Sequence, residues 1–558
     1  ALWESRDAGA NWTMLEDGPG NRRVFVETNR TGDNTFDLYY GAGPKLRVVT
    51  GCDDSTLPTR CPAATNLSDG APTVGALGTD ITGAAHDDAA DLEFDPTDGT
   101  PRCPYLYSND GGVYRSDDCT PTWERAMVGL HDTWLYDLTG NALAGNQTGL
   151  YFGLMDSGYW YSTDGGASWG NPDCCDIWEL AADSERVLST KCCPTTTLRQ
   201  APADDPTNIS AMTPPNAGAP NTGGWLQWFQ QTDSIKPFAD DSYVFVTQTK
   251  GNAAFEVSGG NGTGGIWITQ DVGASYTQLG AATTPANACS VQVAVSGGTP
   301  TFYVLTDDNL NANPDGLCSG GGGHLFKYTG TAANGTWTSA DAGLTTVGIF
   351  GVHPTDPNRL YASDYAPSGP RMVFSTDGGA SWNPDTGLDA LMTGDGAFKY
   401  ANSFGPEVRW FTPPTTGYRQ PTMVAFHPTN PDVVIAGAAD SGLFMSTDSG
   451  QGWAKVTGTL PRIWHRYFDS FDPSVFYVGT VGRGVWKVSL PDGNLSIDKS
   501  DAPDPVVAAS MPVRPATTEP WALTFVVPVL SNILGDLRIP IDQFGQASWI
   551  INGYLLGY

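Results

Sequence analysis

Charged side chains are scarce in this chain, 16% of 558 residues, where about a quarter is usual. Bases are scarcer still: 29 Lys and Arg against 60 Asp and Glu, a formal charge of −31. Such a field repels phosphate backbones and anionic headgroups, so nucleic acid and acidic lipid are excluded as partners. No run of about 18 apolar residues is present, so no membrane span is expected. No leader peptide opens the chain, which reads as a mature secreted protein whose leader has been removed. A Gly-x-Ser-x-Gly elbow ahead of a helical stretch is lacking, which sets aside a serine nucleophile. No Cys-x-x-Cys pair or His–Cys cluster has zinc spacing.

What the chain does have is turn residues and rings: 67 Gly, 41 Pro, 18 Trp and 21 Tyr. Gly and Pro punctuate many short strands, and the aromatics can fill a large core. The stretch Y-S-T-D-G-G-A-S-W at 161–169 returns as F-S-T-D-G-G-A-S-W at 374–382. Its skeleton, Ser/Thr-x-Asp-x-Gly-x-x-Trp, occurs six times, on Asp7, Asp118, Asp164, Asp271, Asp377 and Asp448. Thr120 replaces the glycine of the second copy, and Tyr276 the tryptophan of the fourth. The carboxylate can accept N–H bonds of its own turn. Glycine supplies the φ > 0 position, and the aromatic side chain folds back over the hairpin and buries apolar area. Each copy follows a short strand pattern such as G-Y-W-Y or G-L-F-M. It is a β-hairpin turn used repeatedly.

These turns resemble Asp boxes, or BNR repeats, of sialidases, sortilin-type receptors and secreted glycoside hydrolases. The resemblance implies a β-propeller with each box between the outer strands of a blade, away from the ligand face. The six aspartates are then structural, since a fold-making turn recurs in every blade and a catalytic acid does not. The section 86–169 resembles bacterial sortilin-like proteins more closely; from there to about residue 490 the resemblance is one of repeat pattern. The boxes lie 46 to 111 residues apart, which fits units of about 45–55 residues if some boxes have decayed. Silent blades fit at 22–50, 177–231 and 301–337. The expected fold is all-β: a single large propeller over 1–490 with about nine four-stranded blades, between eight and ten. A second signature, a Pro-Thr-Asp turn after Phe94, Val352 and Phe426 with a variant after Phe471, joins the first and second strands of a blade. It places His353 and His427 where Asp95 and Asp472 stand, as turn residues and not a metal pair.

The ten cysteines fall in local groups: Cys52 with Cys61, Cys103 with Cys119, Cys174 and Cys175 with Cys192 and Cys193, Cys289 with Cys318. Near partners in even number suit loop-stapling disulfides and an extracellular or cell-surface location. Asp307, Asn309, Asn311, Asn313 and Asp315 put oxygen side chains at alternate positions before Gly316. That spacing suits a Ca²⁺ loop without the closing bidentate Glu, or else a polar hairpin tip. Residues 491–520 have a linker composition. Residues 521–558 are apolar and β-prone, too few to bury that surface alone, and are expected to dock on the propeller or on another molecule.

Three stretches resemble motifs of two enzyme families. Leu537-Arg538-Ile539-Pro540 resembles the sialidase Arg-Ile-Pro motif but follows all the boxes instead of preceding them. The run from Asn109 to Arg115 resembles a segment of twin-propeller xyloglucan hydrolases around one catalytic acid, and the run from Asp80 to Asp88 the segment around the other. That resemblance makes Asp110 and Asp87 the candidate catalytic pair, although in that family the two acids come from different propellers. The leading expectation is a non-catalytic extracellular interaction or structural protein. Its partners are a protein, a glycan or further copies of itself in a polymer or surface lattice. The alternative is a secreted glycoside hydrolase. Segments from the two ends are expected to complete one shared blade and close the ring, and the tail to add strands to a neighbouring copy.

Overall fold

The computed structural model describes most of the chain between 2 and 498, together with 548–551 and 554–557. Outside the description lie 17–23, 54–78, 84–88, 95–103, 117–121, 127–134, 192–196, 216–232, 248–264, 307–322, 365–370, 394–420, 457–462, 490–495, 499–547 and some shorter stretches.

Among the described residues, nine four-stranded antiparallel sheets follow one another along the chain, as the repeat pattern predicts. Their residues run 24–80, 89–125, 135–173, 177–211, 235–278, 288–339, 347–384, 423–455 and 463–498, and they are called sheets 1 to 9 in that order. Within each, the strands lie in sequence order, the arrangement of a propeller blade. Second strands such as Gln147–Leu154 and Val475–Thr480 are buried along almost their whole length. They are covered on both faces by neighbouring sheets and read as continuous apolar runs.

The apolar residues divide by interface. Tyr151, Tyr159, Ile177 and Leu180 join sheets 3 and 4, and Leu188, Leu198, Ile235 and Phe245 join 4 and 5. Further clusters bind 5 to 6, 6 to 7, 7 to 8 and 8 to 9. A seventh places Val475, Tyr477 and Val485 of sheet 9 against Leu135, Leu150 and Phe152 of sheet 3. Seven sheets, 3 to 9, therefore close a ring. Sheets 1 and 2 share a separate core of Tyr39, Leu46, Leu92, Tyr107, Tyr114 and Trp123.

Closure differs from the expected shared blade. Leu2–Glu4 pairs with Thr13–Glu16 in a two-stranded sheet, and sheet 9 takes its fourth strand from Ser496–Asp498, past residue 490. The ring is shut by side chains. Thr148 Oγ1 donates to Asp469 Oδ2 at 2.7 Å, and Tyr477 OH donates to the Gly165 carbonyl at 3.2 Å. In the tail, Ser548–Ile551 pairs with Tyr554–Gly557. A short helix, α1 (Thr386–Thr393), follows sheet 7. Asp385 caps it, accepting from the Leu388 N–H at 2.9 Å, and so satisfies one of its free N-terminal donors.

Candidate functional site

The repeated turns define one face of the ring. In sheet 3, Asp164 Oδ1 accepts from Ser162 Oγ at 2.7 Å and from the Ser168 N–H at 2.9 Å. Ser162 Oγ in turn accepts from the Gly166 N–H at 2.8 Å. Asp7, Asp271, Asp377 and Asp448 repeat these bonds. Gly166 and Gly379 take φ of 91° and 89°, where a Cβ is strained. These hydrogen bonds hold the Asp164, Asp271, Asp377 and Asp448 carboxyls below their ordinary range, burial opposing them at Asp164. The four sit between third and fourth strands, as the repeat implies.

Each of these turns also touches the turn between first and second strands of its own sheet. Gly165 N–H reaches the Thr148 carbonyl, Val272 N–H that of Asp241, Gly378 N–H that of Asn358 and Ser449 N–H that of Asp432. Both kinds of short turn thus share one face. In an antiparallel four-stranded sheet the other two connections, from second to third strand and from fourth strand to the next sheet, must leave on the opposite face. On that face begin and end the long stretches 216–232, 248–264, 307–322 and 394–420.

The first-to-second-strand turn corrects one sequence alignment. His353 Nδ1 accepts from the Thr355 and Asp356 N–H groups at 3.2 and 2.9 Å. His427 Nδ1 does the same for Thr429 and Asn430. In sheet 9 this role belongs to Asp469, which accepts from Phe471 and Asp472 at 2.9 and 3.0 Å. Asp472 is the counterpart of Asp356 and Asn430: the carbonyls of all three accept the N–H that restarts the second strand. Sequence had matched the Asp-Pro pairs instead of the capping acceptors.

At the other face, the starts of the inner strands bring together a group that sequence reading did not single out. Asp137, Glu179 and His465 each follow an aliphatic–aromatic pair: Leu135-Tyr136, Ile177-Trp178 and Ile463-Trp464. A register shift at each strand start inserts one residue opposite the second strand, and such a bulge re-aims a side chain. Asp137 Oδ2 accepts from the Leu180 N–H of sheet 4 at 2.7 Å. Glu179 Oε1 accepts from Ser234 N–H, just ahead of the first strand of sheet 5, at 2.8 Å. Beside Ser234, Asp233 accepts from Gln292 of sheet 6. His465 Nδ1 of sheet 9 lies 3.1 Å from Asp137 Oδ1. Lys236 Nζ is 2.7 Å from Asp233 Oδ1, and Arg466 Nη1 reaches the same oxygen from sheet 9 at 3.8 Å. Sheets 9 and 5 are not neighbours, so Arg466 spans the ring axis. Glu179 is 2% exposed. Burial, then the charges of Asp137 and Asp233, push its carboxyl well above the usual range. Asp137 and Glu179 are each spent on the next sheet's backbone and Asp233 on a side chain of sheet 6, which makes the group a latch around the axis.

Several sequence candidates lie outside the described residues: Asp110, Asp87, Asp118, Asp307, Asn309, Asn311, Asn313, Asp315 and Cys61, Cys103, Cys119, Cys174, Cys175, Cys192, Cys193 and Cys318. Cys52 and Cys289 are disulfide-bonded. Among the described residues no group of three or more His, Cys, Asp or Glu could hold a metal ion, and no helix is long and apolar enough to cross a membrane.

Architecture and closure define the class: an all-β propeller protein. No family model matches the chain, and no curated protein does. Among solved structures it is similar to YCF48 from Cyanidioschyzon merolae, at 14% identity over 64% of this chain and 95% of that one, TM-score 0.39. It is also similar to the Niastella koreensis GH74 enzyme, 13% identical over 89% and 75%, TM-score 0.22. A GH74 xyloglucanase from Xanthomonas campestris is 14% identical over 83% and 70%, TM-score 0.21.

Proposed function

We propose that the chain is a non-catalytic binding propeller of the cell exterior, taking up a protein or glycan on the face opposite the short turns. The observation that carries this reading is the division of the two faces. One is occupied by turns whose polar groups bond to each other, and the other receives every long connection of the ring. The sequences of two such connections, G-G-W-L-Q-W-F within 216–232 and V-R-W-F-T-P-P within 394–420, supply rings that stack on sugars or apolar side chains. The buried axial acids support the reading, because they hold strands together in the way a rigid binding scaffold requires. The bonded Cys52 and Cys289 support an oxidising compartment, with the remaining cysteines in the local pairs their spacing suggests. Ca²⁺ at 307–315 and assembly of copies through 521–558 belong to the same proposal.

The test is sedimentation of the purified chain with cell-envelope fractions. Replacing Trp225, Trp228, Trp410 and Phe411 by Ser should abolish co-sedimentation and leave the unfolding transition in place. Protease or periodate treatment of the envelope then separates a protein partner from a glycan. Release of reducing ends from a polysaccharide, lost in Asp110→Asn or Asp87→Asn, would instead establish the hydrolase.

A further inference from the structure

Four polar side chains meet where sheets 3 and 4 join, at the long-connection face. Tyr159, at the start of a third strand, stands opposite Asp173 at the end of the fourth. Lys191 ends the second strand of sheet 4, and Arg199 lies near the start of its third, opposite Ser189. Lys191 Nζ is 2.7 Å from Asp173 Oδ1, and Arg199 Nη1 pairs with Asp173 Oδ2. Burial opposes ionisation of Asp173, but its bonds to Lys191 and Arg199 prevail and hold its carboxyl below the ordinary range. One carboxylate therefore faces two cations, inside a protein of charge −31.

The donors left over on Arg199 and Tyr159 point to a ligand. Among the described residues, Arg199 Nε and Nη2 are buried without an acceptor, and so is the hydroxyl of Tyr159, a residue 2% exposed. Burial, chiefly, keeps that hydroxyl protonated, and it lies within the field of the Arg199 charge. An unmet buried donor forfeits its hydration without return, so native proteins fill such places with water, an ion or a ligand. Nε and Nη2 form the side-on edge of the guanidinium, whose two parallel N–H groups match the two oxygens of an oxyanion.

We propose that Arg199, Tyr159 and Lys191 form an oxyanion site, which takes a carboxylate or sulfate group of whatever the long-connection face binds. Arg199 supplies the bidentate edge, Tyr159 a third donor from the neighbouring sheet, and Lys191 the second charge, shared with Asp173. The site rests on the reading of that face as the binding face. Long-range repulsion from the net charge works against any anion, so recognition depends on these short-range donors and strengthens as salt screens the remainder.

The experiment titrates the full chain with sodium acetate and, separately, sodium sulfate, against sodium chloride at matched ionic strength. Unfolding midpoint and calorimetric heat are both read. At least one anion should raise the midpoint saturably beyond chloride. Tyr159→Phe, which removes a single oxygen, should weaken its apparent Kd about tenfold, and Arg199→Met should remove the effect. A response to acetate alone marks a planar carboxylate site, and a response to sulfate alone a tetrahedral one. No excess over chloride overturns the proposal, as does a saturable effect surviving in both variants, which means an adventitious ion only. Envelope binding is scored on the same preparations. Intact co-sedimentation with no anion effect would remove the oxyanion site and leave the binding face standing.

Discussion

Two histidines in this ring act as backbone caps, and that fixes how they respond to acid. His353 and His427 each use a bare Nδ1 to accept two N–H groups, which only the neutral ring can do. Burial lowers both pKa values, with the Arg359 charge adding to it at His353. A group whose folded pKa lies below its unfolded one makes the unfolded state the greater proton binder. The stability it confers is present above about pH 6.5 and is lost as pH falls through the lowered folded value. Asp469 performs the same capping in sheet 9 as a carboxylate. The double variant His353→Asp, His427→Asp should therefore match the parent at pH 7.5 and hold its unfolding midpoint to lower pH. Parallel pH profiles from 7.5 to 4.5 would refute the capping account.

At the scale of elements, the aromatic residues of three turns do more than cover their own hairpins. Tyr276 OH donates to the Thr213 carbonyl, just past sheet 4, at 2.6 Å. Trp382 Nε1 reaches the Ala340 carbonyl, just past sheet 6, at 3.1 Å, and Trp453 Nε1 reaches Asp385 Oδ2, after sheet 7, at 2.8 Å. These three turn rings are thus tied to the end of the preceding sheet, whereas Trp169 Nε1 of sheet 3 donates to the Gly166 carbonyl of its own turn at 3.1 Å. Trp12 bonds only within its own turn, to the Gly9 carbonyl, and is 59% exposed. Trp453→Phe should cost about 2 kcal/mol, the loss of a bond to a charged acceptor, while Trp12→Phe should stay within about 0.5 kcal/mol. Equal losses in urea unfolding would mean that the ties to the preceding sheet carry nothing. The turns, their spacing and the number of sheets were legible because Asp, Gly and Trp at fixed offsets are local chemistry. The axial latch was not: Asp137, Glu179 and His465 become neighbours only when distant strand starts converge. The pattern of aliphatic, aromatic, then acid or His at three strand starts was the available signal.

For the whole molecule, nine sheets with seven in the ring imply a division of labour along the chain. The fragment 135–498 contains all seven interface cores and the axial acids. It should unfold in one cooperative transition close to that of the full protein. Ending before the apolar tail, it should stay monomeric at concentrations where the full chain associates. A fragment that melts broadly by circular dichroism would show that sheets 1 and 2 are needed to hold the ring. Association of the fragment in sedimentation would take assembly away from the tail.

Closure by side chains has a consequence in time. Thr148 and Asp469 are 321 residues apart in sequence, so their contact closes a very long loop and forms after the local hairpins. During synthesis at about 5–20 residues per second, sheet 3 waits on the order of 20 seconds or more for its partner. For that interval Leu135, Leu150 and Phe152 face solvent, open to sheet 9 of another copy that waits in the same state. Dilute chains close on themselves, and crowded ones have the opportunity to exchange their last sheets. Refolding yield should therefore depend on concentration, although every strand of the ring is paired within its own sheet.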